Sequence, residues 1–238
     1  MAFTLSSRLL ACCGFVPKGS RLADIGCDHG YLSIHLLQQG IASFAYASDV
    51  NQGPLQSALH NAHKYAVQDR MAFYLSDGVR NVPRDFDVMV CAGMGADTMI
   101  SILEAAPWLQ SERYTLILQC QSKTPMLRQY LSEHGWHITE ETVLKDGRFL
   151  YTVMKVCYQP DAPRLTTGGY YFPPAILTHP SPVLSAYYQR LLFSLRRAIL
   201  GRGQQADEQM VAALSELEAL ADKPELGWLK EEGKGDTL

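Results

Sequence analysis

Leu22-Ala23-Asp24-Ile25-Gly26-Cys27-Asp28-His29-Gly30-Tyr31-Leu32 is the stretch that decides the fold. Leu22 to Ile25 is a short apolar run of the kind a buried strand needs. Gly26 and Gly30 bound a turn, and Tyr31 to Leu37 continues as an apolar helix. A strand that hands glycines to a helix N-terminus is how open α/β sheets build a nucleotide pocket. Without Cβ atoms, the two glycines let a ligand approach the backbone. The spacing is G-x-x-x-G rather than the G-x-G-x-x-G of dinucleotide binders. By itself it is equally the spacing of a strand-to-helix turn that holds nothing.

Working outward, strand and helix alternate. Leu5 to Cys13 reads as a short helix, stopped by Pro17 and Gly19. The first strand is Arg21 to Cys27, and its helix runs from Gly30 to Gln39 with Gly40 as C-terminal cap. The spacing then predicts a strand over Phe44 to Val50, a helix over Pro54 to Tyr65 and a strand over Met71 to Leu75. Phe86 to Cys91 is a buried-strand run that opens into an Ala92-Gly93-Met94-Gly95 turn, followed by a helix to Ala105. Tyr114 to Cys120 is the fifth strand, and Pro125 starts the next helix. Two extended runs, Trp136 to Leu144 and Phe149 to Tyr158, flank Lys145-Asp146-Gly147-Arg148, which has hairpin chemistry. Five alternations predict a doubly wound parallel sheet, here closed by an antiparallel hairpin. By analogy of fold, class I S-adenosylmethionine-dependent methyltransferases end that way, whereas dinucleotide domains usually do not.

Gln159 to Pro182 is rich in proline, glycine and threonine and reads as a strap that includes Pro160, Pro163, Pro173, Pro174 and Pro180. Leu184, Tyr187, Tyr188, Leu191, Leu192, Leu195 and Ile199 then recur at helical spacing, as do Met210, Leu214, Leu217 and Ala221 after Gly201 and Gly203. Two amphipathic helices folded into a hairpin are expected, with arginines on the first and acids on the second. The charged tail beyond Gly227 is expected to fray. The predicted division is residues 1–159 for an α/β cofactor-binding domain and 160–238 for the strap and a small helical, coiled-coil-like domain.

The 238 residues, 47% of them hydrophobic, suffice for both units, and a formal charge of −3 shows no global nucleic-acid signature. The six cysteines make no C-x-x-C pair and no metal spacing with histidines, so no metal and a reducing, cytoplasmic setting are expected. Neither a signal peptide nor a membrane helix is expected.

Chemistry-bearing residues fall at successive strand ends. Asp49 lies just over twenty residues beyond Gly26, where a carboxylate can accept bonds from ribose hydroxyls or simply end a strand. Asp77-Gly78 can meet an adenine amino group or form a plain turn. Ala92, Gly93 and Met94 can lie against a substrate or a methionine side chain. Asn- or Asp-Pro-Pro-Tyr, common at that place in enzymes that methylate an exocyclic adenine amine, is missing. That points away from amino-group chemistry and leaves a ring nitrogen or another acceptor. Asp28 either points at the cofactor's sulfonium and the acceptor or caps the helix that starts at Gly30.

Leu5-Ser6-Ser7-Arg8-Leu9, Val16-Pro17-Lys18-Gly19, Ala23 to His29, Ala92-Gly93-Met94-Gly95 and Leu118-Gln119, in this order, resemble the bacterial tRNA (adenine-N1)-methyltransferases acting on the adenine at position 22. The resemblance covers the whole chain. There are departures: Gln119-Cys120-Gln121 stands where the family commonly has Gln-Pro-Asn, Gly30 where it has alanine, and Ala96 where it has a third glycine. The resemblance implies S-adenosylmethionine as cofactor, held around Asp24, Gly26, Asp28, His29, Gly30, Tyr31, Asp49, Asp77, Gly78, Ala92, Gly93 and Met94. It implies attack by a neutral ring nitrogen on the methyl group, with Asp28 as the catalytic carboxylate that stabilises charge on the ring. It implies tRNA as partner, and a monomer or weak dimer is expected. Arg8, Lys18, Arg21, Lys123, Arg128, Arg190, Arg196 and Arg197 are the candidate phosphate contacts, if they cluster in space. A same-fold methyltransferase for another RNA or a small molecule stays open, as does a non-catalytic cofactor- or RNA-binding module. A dinucleotide-dependent oxidoreductase is the weakest alternative.

Overall fold

The computed structural model describes residues 3–178, 182–203 and 207–230. Pro180 of the strap and the tail beyond Lys230 lie outside the described residues.

Seven strands form one sheet: β1 (Ser20–Ile25), β2 (Ala42–Asp49), β3 (Met71–Leu75), β4 (Val88–Gly95), β5 (Thr115–Ser122), β6 (Trp136–Asp146) and β7 (Phe149–Tyr158). Their order is β3-β2-β1-β4-β5-β7-β6. The first five are parallel, and β7 enters antiparallel between β5 and β6. The strand order reverses between β1 and β4, which puts the ligand crevice at their carboxyl ends.

Residues alternate between two apolar layers because a strand's side chains alternate faces. Leu22, Val88, Val90 and Ile117 pack under α1 (Ser7–Gly14), α2 (Tyr31–Gln38) and α3 (Gln52–Lys64). Ala23, Met89, Cys91, Leu116 and Leu118 pack under α4 (Ala96–Glu104) and α5 (Thr124–Glu133). With both faces covered, the central strands are mostly apolar, which is why they read as continuous runs.

The elements sit within a few residues of their predicted bounds, with two corrections. β4 does not stop at Cys91; it continues through Gly95. Gly93 takes a left-handed φ of +84° and the register with β5 shifts on either side of Met94, so the expected turn is a bulge within a paired strand. The tail does not fray immediately after Gly227: Pro224–Lys230 is a 3-10 run that buries Leu229.

A third apolar cluster belongs to the C-terminal part. α7 (Pro182–Arg202) and α8 (Glu208–Ala221) bring Leu184, Tyr188, Leu192, Leu195, Leu217 and Ala221 together with Phe172 and Ile176 of the strap. The strap also contains a short α6 (Thr167–Tyr171), whose Gly168 amide donates to Glu216 at 3.0 Å.

A buried clasp joins this unit to the sheet. Arg128 on α5 and Glu141 on β6 are both fully buried and form a fork: Nε donates to Oε2 at 3.2 Å and Nη2 to Oε1 at 2.5 Å. Arg128 Nη1 donates to the carbonyls of Tyr170 and Tyr171, and Nη2 reaches the Tyr187 hydroxyl at 3.4 Å. Burial alone would lower the guanidinium pKa, but the adjacent Glu141 carboxylate holds it above its ordinary value. Arg128, expected to contact RNA phosphate, is therefore an interior residue. A sequence shows a cation on a helix; it does not show that a strand glutamate will enclose it.

Candidate active site at the carboxyl edge of the sheet

The β1–α2 turn is tied to the end of β2. The amides of Gly26 and Cys27 both donate to the Ser48 carbonyl at 2.9 Å. Asp49 accepts from the Asp28 amide at 3.2 Å and the Asn51 amide at 2.9 Å, one on each carboxylate oxygen. A carboxylate has about four acceptor directions, so lone pairs remain for a diol. Asn61 on α3 secures the turn from behind by donating to the His29 carbonyl at 3.0 Å.

Gly26 has a φ of +71°, and a Cβ there would collide with Met94 Cε. The bare turn and the Met94 side chain thus face each other across the β1–β4 switch point. Gly30 is also left-handed, but its bare Cα serves packing, with Ala58 Cβ only 3.0 Å from where a Cβ would stand. Gly78 is buried against Ile102 in the same manner, while Asp77 beside it is exposed and 3.3 Å from Arg80.

Asp28 is a non-glycine residue at φ +50°, its side chain is 70% exposed, and no side chain caps α2. The alternative of a capping aspartate is therefore removed. Its Oδ1 lies 3.6 Å from His29 Nε2. Asp24 lies beneath the turn, 4% exposed, accepting from the Ser33 hydroxyl at 2.7 Å. Burial pushes its pKa up to about 6 against the lowering effect of Ser33, with Asp49 adding to the rise. It supports the turn from below through Ser33 of α2. The Tyr31 ring lies 4.9 Å from that of Phe3 and 6.0 Å from that of His29.

On the other side of the switch point, Gln119 is fully buried at the end of β5. Its Oε1 accepts from the Gly93 amide and from Arg8 Nη1, both at 3.0 Å. That fixes the β4 bulge and brings Arg8 across from α1. Gln119 was visible only as part of a motif; a polar residue inside the run Leu116-Ile117-Leu118-Gln119-Cys120 was the signal for a buried hydrogen-bonding role.

The other cations divide. Arg190 and Arg197 on α7 are exposed. Arg196 donates to Glu218 at 2.7 Å, Lys123 pairs with Asp97 at 2.9 Å and Arg21 pairs with Asp85 at 2.7 Å. Lys18 is exposed just before β1, at the opposite end of the sheet from the crevice. The eight cations predicted as phosphate contacts therefore do not form one cluster.

The sequence matches the methyltransferase-domain family over residues 5–154, well over half of the chain. The chain belongs to that family. A Bacillus subtilis tRNA (adenine(22)-N(1))-methyltransferase is 29% identical over 151 residues, covering 63% of this methyltransferase-domain chain and 63% of that protein. The aligned stretch is thus under two thirds of the curated relative. Among solved structures, the B. subtilis tRNA methyltransferase TrmK matches with a TM-score of 0.77 at 26% identity, over 97% of this chain and 99% of that one. A Streptococcus pneumoniae candidate tRNA methyltransferase, solved with S-adenosyl-L-methionine, matches with a TM-score of 0.79 at 27% identity, over 91% and 99%. The likeness to these structures therefore extends through the helical C-terminal part.

Proposed function

We propose that the chain is an S-adenosylmethionine-dependent methyltransferase that modifies N1 of an adenine in tRNA. The observation that carries the reading is the switch-point crevice. A glycine turn, the Asp49 carboxylate and the exposed Asp28 stand on its β1–β2 side. Gly93, Met94 and the Arg8–Gln119 pair stand opposite. The crevice fits the cofactor, since Asp49 keeps acceptor directions free at the end of β2. The relatives' described activities agree with this reading.

When bound, S-adenosylmethionine supplies an electrophilic methyl group on a sulfonium. The chain's own residues do the rest. Gly26 and Gly93 let Met94 and Arg8 close against the backbone beside the cofactor, with Ala92 next to them on β4. Asp49 orients the ribose, and Asp77 and Gly78 flank the adenine. Asp28, with His29 next to it, faces the reacting centre and stabilises positive charge on the methylated ring. No base is required to start, because a neutral ring nitrogen is already nucleophilic. Residues 1–159 form the cofactor-binding part, and 160–238 the strap and hairpin that contribute to RNA binding through Arg190 and Arg197. The setting is cytoplasmic, where tRNA is found. No helix among the described residues is long and apolar enough to cross a membrane.

The test is incubation with labelled S-adenosylmethionine and bulk tRNA, followed by nucleoside analysis for 1-methyladenosine. Asp49→Ala is expected to weaken S-adenosylhomocysteine binding by about 1.5–3 kcal/mol, the value of a charge-assisted bond. NAD binding tighter than S-adenosylhomocysteine in calorimetry would end the cofactor reading.

A further inference from the structure

A cavity of about 350 Å³ lies between the start of β7 and α7. It is lined by Phe149, Tyr151, Tyr187, Gln121 and Arg190 among others. We propose that it is a nucleotide subsite, which takes the residue flanking the methylated adenine. The proposal rests on the RNA-methyltransferase reading above.

The cavity adjoins the acceptor side of the crevice across Arg8. Arg8 Nη1 lies 2.9 Å from where a Gly93 Cβ would stand, and the same guanidinium carbon is 6.0 Å from the Tyr151 ring centroid. Gln121 Nε2 lies 3.6 Å from that Gly93 position and also lines the cavity. One side chain therefore separates a base held at Gly93 from a base held at Tyr151, so the cavity receives a neighbour of the reacting nucleotide.

Its chemistry is that of a nucleotide. Aromatic faces stack any base, and Gln121 offers both a donor and an acceptor to a base edge. Arg190 is exposed and has no hydrogen-bond or ion-pair partner among the described residues, whereas Arg196 one and a half turns on is neutralised by Glu218. A phosphate would meet Arg190 without displacing an existing partner. Tyr187 is held in place by the buried Arg128, so this wall is set by the clasp.

The experiment uses the full chain and a tRNA transcript with 2-aminopurine on either side of the methylated adenine. Binding is expected to quench one of the two positions. Tyr151→Ala should abolish the quench and raise KM for tRNA roughly 5- to 100-fold, while Tyr151→Phe keeps both near the parent. Arg190→Ala should make the salt dependence of tRNA binding shallower by about one counterion, with S-adenosylhomocysteine affinity unchanged in every variant. Because Arg190 is exposed, that variant stays informative if Tyr151→Ala fails to fold. Methylation and binding by the parent with neither flanking position quenched would overturn the subsite and leave the RNA-methyltransferase reading standing. No binding or methylation of tRNA by the parent would remove both.

Discussion

The two halves of the carboxyl edge differ in chemistry although one sheet builds both. Over β1, β2 and β3 the strand ends present Asp28, Asp49 and Asp77, with Asp24 buried beneath. Over β4, β5 and β7 stand the Gly93 bulge, Gln121 and Tyr151, with Arg8 of α1 held there by the buried Gln119. Carboxylates suit a ligand with hydroxyls and a cationic centre. Amides, a guanidinium and rings suit bases and phosphates. The difference teaches that each half is built for a different partner chemistry, and the two meet where Gly26 faces Met94.

The largest test breaks the comparison by loosening one half. The acceptor half leans on the C-terminal helices through Arg128 and Glu141, both fully buried. Removing one partner of a buried pair strands a charge, at a cost of about 3–5 kcal/mol. Glu141→Ala is therefore expected to lower the unfolding free energy by that amount in denaturant titration. The double replacement Arg128→Met with Glu141→Leu should recover most of it. A loss below about 1 kcal/mol for Glu141→Ala would mean that the clasp does not brace the acceptor half.

The second test sharpens the acidic half. Asp24 is buried with its pKa raised to about 6 from an ordinary 3.8. Its folded-state pKa is the higher one, so the native protein holds the proton more tightly than the unfolded chain. The stability it contributes is complete below pH 4 and is lost as pH rises through 6. Over that interval the loss is up to about 3 kcal/mol at about 1.4 kcal/mol per pH unit. Asp24→Asn is expected to be more stable than the parent at pH 8, with the gap closing as pH falls to 4. Denaturant unfolding at several pH values checks this; a gap that does not vary with pH would show that Asp24 does not titrate in this range.

The layout was legible in the sequence wherever both faces of a strand are buried, because such strands cannot hide their apolar runs. The turn at Gly26 and the carboxylate at Asp49 were legible through spacing. Three things were not. β4 runs past Cys91 because Gly93 turns the glycine-rich stretch into a bulge, and glycine marks a bulge and a loop alike. Arg128 looked like a surface cation because Glu141, on the facing strand, shares no helical spacing with it. Arg196 was a candidate phosphate contact, yet it pairs with Glu218 of α8, while Glu216 holds the Gly168 amide. Pairing across the fold depends on distances that composition does not encode.

The smallest effect isolates Asp28, the residue nearest the boundary between the halves. At φ +50° an aspartate is strained, though less than most side chains, because its short polar group tolerates the left-handed region. Alanine lacks that tolerance, whereas glycine has no Cβ to strain but gives more freedom to the unfolded chain. Asp28→Gly is thus expected to stay within about 0.5 kcal/mol of the parent, and Asp28→Ala to be less stable by about 1 kcal/mol. Both remove the carboxylate. If Asp28 acts on the reacting centre, single-turnover methyl transfer falls strongly and equally in the two variants, and S-adenosylhomocysteine affinity holds. If its contribution is only the shape of the turn, Asp28→Gly keeps the parent's rate. Single-turnover kinetics with thermal melting of the same preparations separates chemistry from backbone, and so decides whether the acidic half merely holds the cofactor or also takes part in the transfer.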